Sequence, residues 1–326
     1  MKRIIFITGF IVLATQFLYA RENDSAANAG LTLPAGFKAS IIATGIDGAR
    51  HITVTKQGGI YVKLAWLKNG KGIWYLKDTN GDGIFDAQSG FGNFPGTGIC
   101  IKNGWLYASS NSEIFRYKLN DKDEVVNTTQ PEKIVTGLVD HNRDNAKAIT
   151  IDNDANLYVE VGSYQNACVE DKQLKGPQPC GLLDSAGGIW KFQTNKANQT
   201  IKDATHYATG LKNVVGLAWN NQTNSLFVVQ HGRDMTYAKF PQYYTAEQNG
   251  LLPAETMYEL HKGSDCGWPY VYYDPFQHKK ILAPEYGGDG KKTGDVKAQE
   301  PLEVFSCSPR ARWVIILYRQ HFSGKI

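Results

Sequence analysis

An all-β chain folded as a β-propeller is what three features of this 326-residue sequence predict. The first is a loose internal repeat. His51 opens HITV…GGIYV, Thr97 opens TGICI…GWLYAS, Ala146 opens AKAITI…ANLYVEVG and Val215 opens VGLAW…NSLFVV. Each copy is an alternating apolar strand, a polar Gly/Asn turn, and a second strand ending in aromatic and aliphatic residues. The second feature is composition: 33 Gly, 17 Tyr, 14 Phe and 7 Trp against 3 Met favour strands and tight turns over helices. The third is the text between the copies, where GIWYL (72–76), EIFRY (113–117) and GIWKF (188–192) read as further strands. A two-sheet sandwich is the alternative, and the recurring hairpins at roughly 40–70-residue spacing favour the propeller.

The elements follow in chain order. Residues 1–20 read as a signal peptide: Lys2 and Arg3 form a charged start, an apolar run follows, and Phe17-Leu18-Tyr19-Ala20 closes it. A membrane anchor is the competing reading, but the run is short for a span and contains Gln16. A periplasmic or secreted protein with no stable membrane insertion is therefore expected. Residues 21–32 read as a linker, 33–305 as an incomplete propeller of about four blades, and 306–326 as an aberrant tail. That tail, SCSPRARWVIILYRQHFSGKI, carries Arg310, Arg312, Arg319 and Lys325, no acid, and none of the upstream turn punctuation. An altered reading frame or a truncated gene is the hypothesis it raises, which sequencing the locus decides.

Composition narrows the function. A net charge of +4 without basic residues interleaved with aromatics argues against nucleic-acid binding. Five cysteines suit an exported chain with one or two disulfides. Cys168 and Cys180 bracket a loop containing Gly176-Pro177 and form the expected pair, with Cys100 or Cys266 as a free buried thiol. No Cys-x-x-Cys-His haem attachment is present. The sequons at Asn127, Asn198 and Asn221 give no reason to invoke glycosylation.

The densest signal runs through GLKNVVGLAWNNQTNSLFVVQHGRD from Gly210 and GSDCGWPYVYYD from Gly263. Strands over 216–219 and 225–229 break into Gln230-His231-Gly232-Arg233-Asp234, where a hairpin would ordinarily continue. A break at a strand end is where β-scaffolds assemble ligand sites. These motifs resemble the soluble sugar dehydrogenases that use pyrroloquinoline quinone (PQQ), and within them the sorbosone dehydrogenase-like branch, over roughly 33–305.

The resemblance implies a six-bladed propeller and a quinoprotein oxidising a sugar, aldose or related aldehyde by hydride transfer to Ca²⁺-bound PQQ, with electrons passing to an external acceptor. His141, in the loop Leu138-Val139-Asp140-His141-Asn142-Arg143, would be the base; an imidazole suits proton removal near neutral pH. Asp140 or Asp144 would orient it. Lys212 and Asn213 would face the quinone, Lys212 standing where the family usually has Arg and so lacking a guanidinium's planar contacts. The main-chain carbonyls of Gly232 and Arg233 would hold the Ca²⁺, and Trp268 would pack on the cofactor. Taken singly, each has a plainer reading: an exposed loop histidine, a surface lysine, a polar turn, a core tryptophan. The family's late-blade basic clamp on the PQQ carboxylates has no match, so weak cofactor binding and an inactive or unstable chain are expected.

Asp78, Asn80, Asp82 and Asp86 in DTNGDGIFD space oxygen ligands as a Ca²⁺ loop does, although Ser89 stands where a bidentate Glu belongs. A structural Ca²⁺ site and an Asx-rich turn both fit. A non-catalytic propeller binding a carbohydrate or protein partner is the second functional reading, because propellers host both roles. A metal-dependent lactone hydrolase ranks last, for want of carboxylates and amides around one ion.

Overall fold

A computed structural model of the chain describes residues 27–170, 172–251, 254–294 and 297–305. The expected leader at 1–20 and the tail at 306–326 lie outside the described residues. Contacts divide the chain into a short unit, residues 1–44, and a large one, residues 45–326. Among the described residues of the short unit, a 3₁₀ turn, Ala27–Gly30, precedes an irregular segment pinned by a hydrogen bond from Ala39 N to Asn28 Oδ1.

The large unit is a series of antiparallel sheets in sequence order, the β-propeller blades read from the repeat. Blade one is β1 (Ala49–Val54), β2 (Ile60–Lys68), β3 (Lys71–Lys77) and β4 (Ala87–Phe91). Blade two is β5 (Ile99–Lys102), β6 (Trp105–Ser109), β7 (Ile114–Lys118) and β8 (Glu132–Val135). Blade three is β9 (Ile149–Ile151), β10 (Asn156–Val161), β11 (Gly188–Gln193) and β12 (Thr205–Thr209). Blade four is β13 (Val214–Asn220), β14 (Ser225–Gln230), β15 (Glu255–Leu260) and, as its outer strand, β19 (Glu303–Phe305). Between β15 and β19 lie β16 (Ser264–Asp265), which joins blade three parallel to β12, and the hairpin β17 (Val271–Asp274) with β18 (Lys279–Leu282).

The tight connections follow from turn chemistry. Asn69-Gly70 joins β2 to β3 and Asn103-Gly104 joins β5 to β6, all four residues at positive φ, the two-residue turn whose twist matches antiparallel strands. Alternation along each strand then points apolar side chains at the neighbouring blade. Ile73 and Phe91 of blade one pack with Leu106 and Tyr117 of blade two. Tyr107 and Ile134 of blade two pack with Val159 and Trp190 of blade three. Tyr158 and Ile189 of blade three pack with Val228 and Tyr258 of blade four. The core is thus a row of inter-blade interfaces, and no blade buries its faces alone.

A polar tie crosses these layers. His51 on β1 sets Nδ1 2.7 Å from the carbonyl oxygen of Thr97 and Nε2 2.8 Å from that of Val215, linking blade one to the starts of blades two and four. The break after Gln230 is real. Instead of turning directly into β15, the chain makes two short helices, α1 (Thr236–Lys239) and α2 (Ala246–Leu251), which the sequence reading did not foresee. Among the described residues no helix is long and apolar enough to cross a membrane.

Candidate functional site

Lys212 and Asn213 occupy the connection between β12 and β13. Their backbone is fixed from three sides: Ser163 N donates to Lys212 O (2.8 Å), Lys212 N to Gln230 Oε1 (3.2 Å) and His231 N to Asn213 O (3.0 Å). Lys212 is only 5 % exposed. Its ammonium lies 3.0 Å from Asp144 Oδ2 and 3.7 Å from Asp234 Oδ2, while Asn213 Nδ2 donates to Asp144 Oδ1 at 2.9 Å. Asp144 reaches them because its loop runs over Gly162, where a Cβ would stand 2.3 Å from the Asp144 carbonyl oxygen. Sequence analysis placed Asp144 beside His141. The structure instead commits its carboxylate to Lys212 and Asn213.

Arg233 follows Gly232 at the end of β14. Its side chain is buried, with Nη2 donating to Glu285 Oε1 at 2.6 Å and Nη1 to the Asn166 main-chain oxygen at 3.2 Å. Glu285 sits on the 3₁₀ turn Pro284–Tyr286. Trp268 Nε1 donates to the same Asn166 oxygen at 2.8 Å, and the ring packs on the disulfide between Cys168 and Cys180. The expected cysteine pair is therefore formed, and Cys100 and Cys266 are free thiols. Burial pushes both up to about 12, so neither is a nucleophile at neutral pH.

Lys212, Gly232, Arg233 and Trp268 line one cavity, with Asn166, Gln230, Thr256 and Tyr272 among the other wall residues. It is narrow, about 40 Å³, room for a few waters or for the polar edge of a ligand. His141 is not part of that wall. Its side chain is exposed, three residues from Asp144, with its ring 4.0 Å from that of Tyr164 at 34°. Asp140 accepts from Asn145 Nδ2 and Asn142 N rather than from the imidazole. Desolvation pushes its pKa up, but those two hydrogen bonds, with Lys147 and His141 nearby, outweigh it and hold the carboxyl below its ordinary value.

Asp78, Asn80, Asp82 and Asp86 lie on blade one, between β3 and β4. Their oxygens are engaged within the loop: Asp78 accepts from Gly81 N (2.7 Å) and Gly83 N (2.9 Å), and Asp86 from the hydroxyl (2.6 Å) and N–H (2.9 Å) of Thr79. The bond from Gly83, with those from Gly81 and Asn80, holds Asp78 below its usual range, and the Thr79 side chain does the same for Asp86. Among the described residues no group of three or more His, Cys, Asp or Glu side chains is arranged to hold a metal ion.

One buried carboxyl lies close to the Lys212 backbone, across Gly162. Glu160 on β10 is 1 % exposed, and burial raises its pKa well above the ordinary value, against the opposing pull of Lys147 and the Val214 N–H. A carboxyl whose folded pKa lies above its unfolded value destabilises the fold as pH climbs past about 4.3, its ordinary pKa, toward the folded one. Glu160→Gln is accordingly expected to raise unfolding free energy at pH 8 and to leave it nearly unchanged at pH 4, read by urea denaturation at both. An equal effect at the two pH values would mean that the carboxyl is ionised in the fold at no cost.

Sequence reasoning missed Asn166 and Glu285. Asp234 was read as a flank of the turn that could line the pocket, whereas Glu285 lies in APEYGG, which carries no motif.

The TrAA12-like family profile matches residues 31–273 of the chain. No curated protein matches it by sequence. Among solved structures it is similar to the calcium structure of Trichoderma reesei Carbohydrate-Active Enzymes Family AA12, at 18 % identity over 82 % of this chain and 69 % of that one, TM-score 0.62. It is also similar to the holo form of the pyranose dehydrogenase PQQ domain from Coprinopsis cinerea, at 16 % identity over 81 % and 67 %, TM-score 0.61. At these identities the likeness is one of fold.

Proposed function

Because the chain belongs to the TrAA12-like family, we propose that it is an exported quinoprotein dehydrogenase, oxidising a sugar, aldose or related aldehyde with PQQ and Ca²⁺. The observation that carries this reading is the meeting of Lys212, Gly232 and Arg233 in one cavity. The resemblance had assigned all three to the cofactor on motif alone. The polar group in the wall that suits a planar polar cofactor is the buried ammonium of Lys212; Asn213, whose amide donates to Asp144, is not among the lining residues. Bound PQQ supplies a quinone carbonyl carbon able to accept hydride.

The chain's own residues do the rest. Lys212, held by Asp144 and Asp234, would offer the cofactor a fixed ammonium donor. His141, exposed on the loop that carries Asp144 and outside the cavity wall, would take the substrate hydroxyl proton. The main-chain carbonyls of Gly232 and Arg233 offer hard oxygen donors to Ca²⁺. The Cys168–Cys180 disulfide suits an oxidising compartment. An external acceptor would take up the electrons.

Charge balance sets the expected behaviour. Lys212 faces two carboxylates and Arg233 faces Glu285, so neither cation is left over for a polycarboxylate. PQQ binding should therefore depend on Ca²⁺ and be weak without it. Titrating the metal-free protein with PQQ, with and without Ca²⁺, and following dye reduction on sugar addition tests the whole reading. Saturable binding only with Ca²⁺, followed by turnover, supports it. No binding under either condition removes it and leaves the non-catalytic propeller.

A further inference from the structure

We propose that the side-chain amide of Asn166, together with the Nε–H of Arg233, is a recognition subsite for neighbouring hydroxyl groups of a sugar. The proposal rests on the dehydrogenase reading for the ligand class and adds a residue that no motif assigns. Asn166 lines the cavity and is only 3 % exposed. Its main-chain oxygen is clamped by two buried donors, Trp268 Nε1 at 2.8 Å and Arg233 Nη1 at 3.2 Å. The residue is thus held in place by its backbone. Its side chain does none of that holding: among the described residues neither Oδ1 nor Nδ2 has a hydrogen-bond partner, and Arg233 Nε has none either.

A buried amide with both ends unmet is a cost to the folded chain that a ligand would recover. The chemistry of the unmet groups narrows the ligand. They comprise one acceptor, Oδ1, and two kinds of donor, the amide N–H and the guanidinium Nε–H. A carboxylate only accepts, so it leaves Oδ1 orphaned. It would also bring an extra negative charge to a guanidinium already neutralised by Glu285, in a pair whose side chains are 4 % and 0 % exposed. A hydroxyl both donates and accepts and carries no charge. Two hydroxyls on adjacent carbons meet the amide as a pair, one donating to Oδ1 and one accepting from Nδ2, with Arg233 Nε able to serve the second. Water satisfies the same list and is the occupant against which the sugar must be tested.

The test uses the full chain with Asn166→Leu, which removes the amide at similar volume, and Asn166→Ala as the variant that keeps the question open should leucine disturb the fold. D-glucose, D-mannose and D-xylose are the probes, followed by saturation-transfer NMR on the PQQ-free protein. PQQ with Ca²⁺ is titrated separately by quinone absorbance. The expected result is at least a ten-fold loss of sugar affinity, an unchanged PQQ titration, and a melting temperature equal to or above that of the parent. Unchanged sugar binding overturns the proposal, because the amide then serves a bound water only. A parallel fall in PQQ affinity overturns it in favour of a cofactor contact, and a parent chain that binds none of the three sugars overturns it outright. A parent that takes no PQQ yet loses sugar on substitution at Asn166 sinks the dehydrogenase reading and leaves this subsite standing.

Discussion

Arg233→Met is expected to lower the unfolding free energy by about 3–5 kcal/mol, while Arg233→Met combined with Glu285→Leu recovers most of the loss. The reason is desolvation. The Glu285 side chain is fully buried, its Oε1 is held by Arg233 Nη2 at 2.6 Å, and its Oε2 has no partner among the described residues. Removing the guanidinium strands a carboxylate with nothing to replace it, whereas removing both partners takes away the stranded charge as well. The single variant also frees the Asn166 oxygen from one of its two donors, although Trp268 Nε1 remains. The expected signature is therefore a large coupling between positions 233 and 285 in a double-mutant cycle of urea-unfolding energies. A loss below about 1 kcal/mol, the range of exposed ion pairs, with no coupling would show that water reaches the pair. The double variant keeps the main-chain carbonyls of 232 and 233, so Ca²⁺-dependent PQQ binding through the backbone should survive in it. That separates the structural role of the side chain from the proposed metal role of the main chain.

The fold was legible because propeller blades are local. Strand alternation and turns such as Asn69-Gly70 and Asn103-Gly104 are written within ten-residue stretches, and each predicted strand appears with its ends moved by a residue or two: 216–219 as Val214–Asn220, 188–192 as Gly188–Gln193. The candidate site was legible only where its residues sit in one motif. Lys212, Gly232 and Arg233 come from a single β12–β14 passage and line one cavity. Glu285 lies 52 positions from Arg233, and Asn166 lies 102 from Trp268. Nothing local marks either one. Their significance comes from contacts made, or left unmade, after the blades and the β17–β18 hairpin have come together. The Asp144 and Lys212 pair shows the same limit at shorter range. A histidine with acids on both sides reads as a catalytic loop, but backbone geometry turns Asp144 to the ammonium and Asp140 to Asn142 and Asn145.

Trp268→Ala is expected to cost about 3–5 kcal/mol, the range for emptying a buried aromatic site, and Trp268→Phe about 1–2 kcal/mol, chiefly the lost indole hydrogen bond. The GWP motif pointed to a ring lying on the cofactor or to a core plug. The contacts weigh on the second side without removing the first. Trp268 lines the cavity, yet it is 8 % exposed and donates to Asn166, and it packs on the Cys168–Cys180 disulfide with Leu182, Leu183 and Tyr270. Gly187 lies beneath it so closely that a Cβ there would stand 2.5 Å from ring atom Cζ3. Gly187→Ala should therefore destabilise the protein along with the tryptophan variants, both through that collision and through its positive φ of 72°. The two roles predict different pairings of observables. A core plug makes stability fall in the order Trp, Phe, Ala while PQQ affinity, measured on the fraction still folded, changes little for Phe. A cofactor plate makes PQQ affinity fall steeply at Phe with melting barely moved. Thermal unfolding and quinone titration on the same three proteins decide between them, and an Ala variant that melts with the parent would show that the indole supports neither the disulfide loop nor the Asn166 backbone that depends on it.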